Sequence, residues 1–261
     1  MVITMSIPRP DRPLPARAAY DLAKDPKRYS RALLEGGPAL GESIEPFTPV
    51  QIARWLLTAE GLSKNAVGVL FAEKTSMAVL DAFVDALDFT AFDAYDEALR
   101  FFTSLFRLQG ESQQIERILW AFARAYQRDH PTKFKTADVA HTLAFSLMML
   151  NTDAHSTQIK PANKMTLDQF VRNNRGIDGG DDIPFTMLSG FYSRIVAREI
   201  QIEQREFVAD GAVSVDGGAS FDAVKKGWLK KEGGRVKTMH RRWTILSGST
   251  LYYFVTEKVR P

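Results

Sequence analysis

The stretch FRLQGESQQIERILWAFARAY, Phe106–Tyr126, decides the fold of this 261-residue chain. Within it, four apolar residues recur at intervals of three and four: Ile115, Ile118, Leu119 and Phe122. This spacing places their side chains on one face of an α-helix. The stretch therefore predicts an amphipathic helix whose apolar face packs into a core.

A turn is predicted just before this helix, at Gln109, Gly110 and Glu111. Glycine relieves the steric limits on the backbone where the chain must turn. Glu111 then stands at the helix start, where unpaired backbone N–H groups favour a carboxylate. Taken alone, it fits an acid that complements the helix dipole, and a functional role is the alternative.

Helix start signals recur outward from this stretch. Thr48 and Gln51 are spaced as a capping box, with a proline at the first helical position, and Thr166 and Gln169 form a second box. Further starts are predicted at Pro26, Ser63, Ser76, Asp93, Thr136 and Pro184. Strand-type alternation is missing, and the connections are short. The pattern predicts an all-α domain of about ten helices, the last running from Pro184 to about Gln204.

Composition changes mark four regions. Residues 1–19 are rich in proline and predict a disordered arm. The helical domain occupies residues 20–204, and the run DGAVSVDGGAS places a linker at 205–223. Residues 224–261 contain GWLKK, RRWTIL and LYYF, which predict strands of a second, β-type unit.

Composition also excludes several classes of function. The chain has no cysteine, so disulfides, thiolate chemistry and cysteine-ligated zinc are excluded, and its four histidines are too dispersed for a HExxH metal helix. A net charge of +3 is too weak by itself to indicate nucleic-acid binding. The run DGGDD lacks the twelve-residue calcium-loop pattern. No apolar run approaches the ~18 residues of a membrane span, so we expect any membrane role to be peripheral.

Two motifs carry a resemblance to a known family. FRLQGESQQIERI is followed about thirty residues later by LAFSLMMLNTDAHSTQIKPANKMTLDQFVRNNRGIDGGDDIP. Together they resemble the two signature motifs of the Sec7 domain, over roughly residues 25–199. Sec7 domains are guanine-nucleotide exchange factors for Arf-family small GTPases. The resemblance implies the same fold, activity and partner for this chain.

The resemblance also implies roles for individual residues. Glu111 matches the "glutamic finger" that enters the GTPase site beside Mg²⁺ and the β-phosphate. An apolar groove that docks the GTPase, with a polar rim, is implied at Leu108, Gly110, Phe145, Met148, Met149, Asn151, Asp153, His155, Met165 and Asn174. The four groove positions Phe145, Met148, Met149 and Met165 could instead be core, as we expect for Leu143, Leu147 and Leu150. Asn151, Asp153 and His155 could be local caps. NNRG, which contains Asn174, is predicted to form a helix end with Gly176 in a left-handed turn, and Asn174 could serve both there and in the contact.

Two details depart from the cytohesin pattern within this family. Ser156 stands where cytohesins carry asparagine, and about two extra residues lie around Pro161 and Ala162. Both changes fall within the second motif.

The β-type segment GWLKKEGGRVKTMHRRWTILSGSTLYYF resembles the start of a pleckstrin homology (PH) domain, most closely the phosphoinositide-binding domain of the cytohesins. The resemblance implies phosphoinositide contacts at Lys231, Arg235, Thr238, Arg242 and Tyr253, provided that the PH fold is complete. His240 replaces a lysine of the cytohesins. Only about 40 residues are present of a fold that needs roughly 100, so we expect an incomplete unit. A solvated basic face is the alternative.

These resemblances together imply an exchange factor without a cofactor or bond chemistry of its own. It would act in vesicle trafficking, in the cytoplasm and peripherally at a Golgi, endosomal or plasma membrane. The alternative is a non-catalytic adaptor, recruited to membranes, that binds a partner through the helical domain. Glu111 separates the two hypotheses, because an adaptor has no need of an acid at that position.

Overall fold

The chain divides into two units, Met1–Gln204 and Arg205–Pro261. The computed structural model describes residues 12–39, 41–108, 112–200, 223–232, 239–247 and 250–254. In the strands beyond residue 222 it describes side chains only at Trp228 and Lys230.

The first unit is helical, as the sequence predicts. Its described residues form ten α-helices: α1 Ala18–Lys24, α2 Pro26–Glu35, α3 Pro49–Thr58, α4 Lys64–Ala72, α5 Met77–Asp85, α6 Tyr95–Ser104, α7 Ser112–Asp129, α8 Ala137–His155, α9 Leu167–Asn173 and α10 Phe185–Ala197. Two single 3₁₀ turns, Lys74–Ser76 and Pro161–Asn163, lie between them. The predicted all-α architecture is confirmed.

Local capping explains where several helices begin. At α3, the Gln51 N–H donates to Thr48 Oγ1 at 3.2 Å, and the Thr48 N–H donates to Gln51 Oε1 at 3.0 Å. Thr166 and Gln169 form the same reciprocal pair at α9. Each box satisfies two of the N–H groups that a helix start leaves without partners. Both predicted capping boxes are thus present.

Helix α7 lies at the centre of the core. Ile118, Leu119 and Phe122 are fully buried, while Ile115 is half-buried against the same core. The Phe122 ring stacks on Phe102 of α6, with 5.2 Å between the ring centroids. Aromatic contacts of this kind stabilise a core beyond simple area burial. The helix predicted from the first stretch of sequence therefore organises the unit.

A short antiparallel hairpin interrupts the helices, and the sequence did not predict it. Strand β1, Gly37–Ala39, pairs with β2, Glu42–Ile44. Gly37 and Gly41 adopt φ values of 102° and 99°, which residues other than glycine rarely adopt. Three-residue strands are too short to show alternation, so sequence periodicity could not reveal them.

Residues 12–19 belong to the helical unit, although the sequence predicted a disordered arm up to residue 19. Leu14 and Ala18 are buried in the core, and α1 starts at Ala18. Burial of these two apolar side chains fixes the end of the proline-rich segment. The prediction of disorder is therefore wrong for residues 12–19, and residues 1–11 lie outside the described chain.

Helix α10 ends at Ala197, not near Gln204 as predicted. Arg198 is extended, and the carbonyls of Arg198 and Glu199 accept hydrogen bonds from Arg100 at 2.8 and 2.5 Å. The Arg100 side chain of α6 therefore donates to carbonyl groups that would accept hydrogen bonds within the helix if α10 were longer. The sequence around Arg198 carries no sign of this distant partner.

A charged pair ties α6 to α10. Buried Asp96 accepts two hydrogen bonds from Arg194, from Nε at 2.8 Å and from Nη2 at 2.6 Å. This bonding raises the pKa of the Arg194 guanidinium. We expect Asp96→Ala to lower the free energy of unfolding by ~2–3 kcal/mol, because it leaves a half-buried cation without its partner. A thermal melt measures the loss.

The matched control for this prediction is Asp81→Ala. Asp81 pairs with Arg124 at 2.7 Å, but the Asp81 side chain is 44% exposed, whereas that of Asp96 is fully buried. Exposed pairs contribute about 0–1 kcal/mol, so its melting temperature should change little. If Asp96→Ala and Asp81→Ala lowered the melting temperature equally, the Asp96–Arg194 pair would not contribute the expected extra stability.

The second unit contains an antiparallel sheet in the order β3–β4–β5: Ala223–Glu232, Met239–Ser247 and Thr250–Phe254. Most of the predicted linker lies outside the described residues, and β3 starts at its last residue. By strand register, Lys231, Arg242 and Tyr253 occupy positions that share one face of the sheet. Arg235 and Thr238 lie outside the described residues.

Within the described part of the chain, no helix is both long and apolar enough to cross a membrane.

Candidate functional site

Helix α8 is apolar on two faces. Its inner face packs through Leu143, Leu147 and Leu150, all fully buried as the sequence predicts. On its outer face, Phe145 is 40% exposed and Met149 is 55% exposed. A helix of a single folded domain normally turns polar side chains outward. Adjacent large apolar side chains left in solvent indicate a surface that binds a partner.

The outer face extends to two residues that the sequence motifs did not indicate, His141 on α8 and Trp120 on α7. His141 precedes Phe145 by one helical turn, and its ring meets the ring of Trp120 on α7 edge-on, with 5.4 Å between centroids. Trp120 is 38% exposed and lies off the apolar face of α7. A tryptophan outside the predicted core face was the signal that could have revealed it. Below, "outer face" means Trp120, His141, Phe145 and Met149.

Two other predicted groove residues are placed differently. Met148 is buried in the core, which is the alternative that the sequence left open. Met165 is half-buried and packs against the core, and its backbone N–H donates to Asp153 Oδ2 at 2.6 Å. Asp153 thus fixes the chain just before α9 to the end of α8.

Asn151 is buried and makes a paired contact with the end of the helical unit. Its Nδ2 donates to the Ile200 carbonyl at 2.9 Å, and its Oδ1 accepts from the Ile200 N–H at 2.7 Å. His155 Nε2 lies 2.7 Å from the Ile195 carbonyl. These two motif residues therefore hold the last helix and the segment after it against α8.

Asn174 is buried at the end of α9, where its Nδ2 donates to the Phe170 carbonyl at 2.8 Å. Gly176 follows with φ of 67°, in the left-handed conformation predicted for it. This is the helix-end role that the sequence allowed for Asn174.

The chain approaches the predicted turn from a buried position. Leu108 is 6% exposed and belongs to the core. Gly110 and Glu111 lie outside the described residues, and α7 begins directly after them at Ser112. Their predicted roles stay predictions.

The described residues therefore define a helical domain with an apolar outer face. Hydrogen bonds from Asn151 and Asp153 of α8 join that helix to neighbouring segments of the domain. Comparison with known proteins gives the family: the Sec7 domain family model matches residues 14–200. The chain belongs to the Sec7 domain family. The family resemblance and the helical fold predicted from the sequence are both confirmed.

Two relatives illustrate the similarity. Human cytohesin-2 is 39% identical over 233 residues, which are 88% of this chain and 54% of the relative. The Dictyostelium discoideum "ankyrin repeat, PH and SEC7 domain containing protein secG" is 42% identical over 218 residues, 82% of this chain and 21% of the relative. The chain thus spans about half, or less, of the length of these relatives.

A solved structure is also similar: a Sec7 domain bound to ARF1-GDP and brefeldin A. It matches with a TM-score of 0.59 and 32% sequence identity, covering 70% of this chain and 92% of that chain. The PH resemblance of the second unit stays a prediction.

Proposed function

We propose that this chain is a guanine-nucleotide exchange factor for an Arf-family small GTPase. The observation that carries the proposal is the exposed apolar face of α8, within a chain of the Sec7 family. The similar Sec7 domain bound to ARF1-GDP supports the same class of partner.

In this proposal the outer face docks the GTPase by burying apolar area. Phe145 and Met149 stand in solvent before docking, so covering them is favourable. Methionine is flexible and polarizable, which suits an adaptable surface. The hydrogen bonds of Asn151 and Asp153 hold α8 in place, so the face need not reorganise when the partner docks.

Glu111 supplies the second step of the proposed mechanism. Its carboxylate enters the nucleotide site of the GTPase and repels the β-phosphate while competing for the lysine that binds it. No covalent bond forms or breaks, and Mg²⁺ belongs to the GTPase. A nucleotide held with picomolar affinity is bound by about 16 kcal/mol. Accelerating its release ~10⁴-fold requires about 5.5 kcal/mol, which is the order of one desolvated clash between like charges.

The deciding experiment is nucleotide release from a panel of Arf-family GTPases loaded with a fluorescent GDP analogue. Acceleration of release by this chain supports the proposal. Binding without acceleration would instead favour the non-catalytic adaptor.

We further propose that the second unit serves membrane recruitment. Lys231 and Arg242 occupy one face by register, and basic residues there would meet phosphoinositide headgroups in a complete PH fold. The protein would then act in vesicle trafficking, as a cytoplasmic protein bound peripherally at membranes.

Brefeldin A provides a prediction at the outer face. By resemblance, Ser146, Asp153 and Met165 match sensitive members of the family, whereas Phe145 matches resistant ones. We expect weak, partial inhibition of exchange, which increases in Phe145→Tyr because the added hydroxyl supplies a hydrogen-bonding group at an exposed position. The measurement is the exchange rate at increasing brefeldin A.

The matched control is Phe185→Tyr, which adds the same hydroxyl to an exposed phenylalanine on α10. Its inhibition curve should overlay that of the unmodified chain. Equal inhibition of the Phe145→Tyr variant and the unmodified chain would contradict the prediction.

A further inference from the structure

Helix α4 holds the chain that leads into the Glu111 segment. The Arg107 N–H donates to the Lys64 carbonyl at 2.9 Å. The Arg107 carbonyl oxygen lies so close to Gly68 that a Cβ atom there would stand 1.8 Å from it. No side chain fits at that distance, so the close approach of the two backbones requires glycine.

This requirement explains a glycine that is otherwise unfavourable. Gly68 lies inside α4. Glycine inside a helix lowers its stability relative to alanine, because glycine loses more conformational freedom on folding. Its backbone is not in the left-handed region, so conformation does not demand it. The remaining reason is the contact with Arg107.

The other end of α4 holds the chain that leaves the segment. The carbonyl of Ala72, the last residue of α4, accepts hydrogen bonds from two side chains in the first turns of α7. Gln114 Nε2 donates at 3.2 Å and Arg117 Nη2 at 2.8 Å. One nine-residue helix therefore contacts both flanks of the segment that carries Glu111.

We propose that α4 is a positioning element for Glu111, with Gly68 as its central positioning residue. The inference rests on the proposed exchange function. In it, Gly68 and Arg107 act on exchange only through the position of Glu111 and do not bind the GTPase themselves. A methyl group at Gly68 would need at least 3.0 Å from the Arg107 carbonyl oxygen instead of 1.8 Å, so the carbonyl would be displaced by about 1 Å. Misplacement of about 1 Å by a distant substitution is enough to slow a positioned reaction by up to about a hundredfold.

The test is Gly68→Ala in the full chain, assayed by release of fluorescent GDP from an Arf-family GTPase. We expect kcat to fall at least about tenfold while KM stays within about twofold, because docking on the outer face is untouched. The matched control is Gly190→Ala in α10. The three atoms nearest to a Cβ there all belong to the Arg194 guanidinium, the closest at 3.2 Å. The end of a side chain can shift by a few tenths of an ångström where a backbone carbonyl cannot, so kcat and KM should not change.

A second pair of variants keeps the proposal testable if Gly68→Ala does not fold. Arg117→Met removes a donor to the Ala72 carbonyl without placing new atoms in the core, and Arg117→Lys retains a cation. We expect kcat to fall in Arg117→Met and to recover partly in Arg117→Lys, with KM unchanged in both.

A folded Gly68→Ala protein with normal kcat, or with a raised KM alone, would overturn the inference. An unmodified chain that accelerates release from no Arf-family GTPase would refute the proposed function instead. In that case the hydrogen exchange of the Arg107 amide still tests the positioning element. Faster exchange in Gly68→Ala than in Gly190→Ala supports it, and equal exchange overturns it.

Discussion

Glu111→Lys should abolish nucleotide exchange and leave the protein folded. A lysine ammonium beside the β-phosphate would attract the nucleotide that a carboxylate repels. An acceleration of ~10⁴-fold, or about 5.5 kcal/mol of barrier lowering, should therefore be lost. Release should proceed near the rate of the GTPase alone. The GTPase should still dock, because Phe145 and Met149 of the outer face are unchanged.

The effect on stability should be small. Glu111 directly precedes α7 in the sequence, so its replacement removes a favourable interaction with the helix dipole, worth ~0.3–1 kcal/mol. A release assay, a pull-down with GDP-loaded GTPase and a melting curve measure the three expectations together.

The matched control for this variant is Gln113→Lys. It places the same charge on an exposed residue in the first turn of α7 and should retain most of the exchange activity. Near-normal exchange by a folded Glu111→Lys protein would remove Glu111 from the mechanism and favour the adaptor hypothesis.

Features held by local interactions could be predicted from the sequence. In each capping box the bonded residues are three positions apart, as at Thr48 and Gln51. The buried face of α7 follows from helical spacing alone, because Ile118, Leu119 and Phe122 repeat with the period of the helix. Such features depend on neighbours in the chain, which the sequence displays directly.

Features held by distant residues could not be predicted. Asn151 forms hydrogen bonds with Ile200, 49 residues away. The sequence near Asn151 does not show whether its amide is bonded to another part of the chain or to water. Likewise, Arg100 of α6 takes the carbonyls beyond α10, so the sequence around α10 overstates the length of that helix. Tertiary contacts decide both outcomes.

The candidate site lies between these two cases. Met148 and Met149 are adjacent methionines, yet one is 7% exposed and the other 55%. Successive residues of a helix point about 100° apart, so the two side chains leave α8 on different faces. Because α8 is apolar on both faces, its pattern does not reveal which face meets solvent. Only the packing of the other helices separates the core residues from the outer face.

The double variant Phe145→Asp and Met149→Asp should remove docking of the GTPase. It would place two carboxylates on the outer face, where the proposed complex buries apolar area, and burying an unpaired charge is strongly unfavourable. Truncating central residues of an interface commonly costs ~2–4 kcal/mol, so we expect kcat/KM to fall at least about a hundredfold. The two side chains are 40% and 55% exposed, so the unfolding free energy should change much less than it would for a core substitution. The pull-down should fail here, whereas it should succeed with Glu111→Lys.

The contrast between these two variants separates docking from nucleotide release. Val196→Asp is the control, because Val196 is an apolar residue of α10 that is 44% exposed, close to the 40% of Phe145. It adds a carboxylate at a similarly exposed site outside the outer face and should leave both binding and exchange intact. If Val196→Asp weakened binding as much as the double variant, a general effect of negative charge would explain the loss. If the double variant bound normally, the GTPase would have to dock elsewhere, because no partner could cover the outer face without burying both carboxylates.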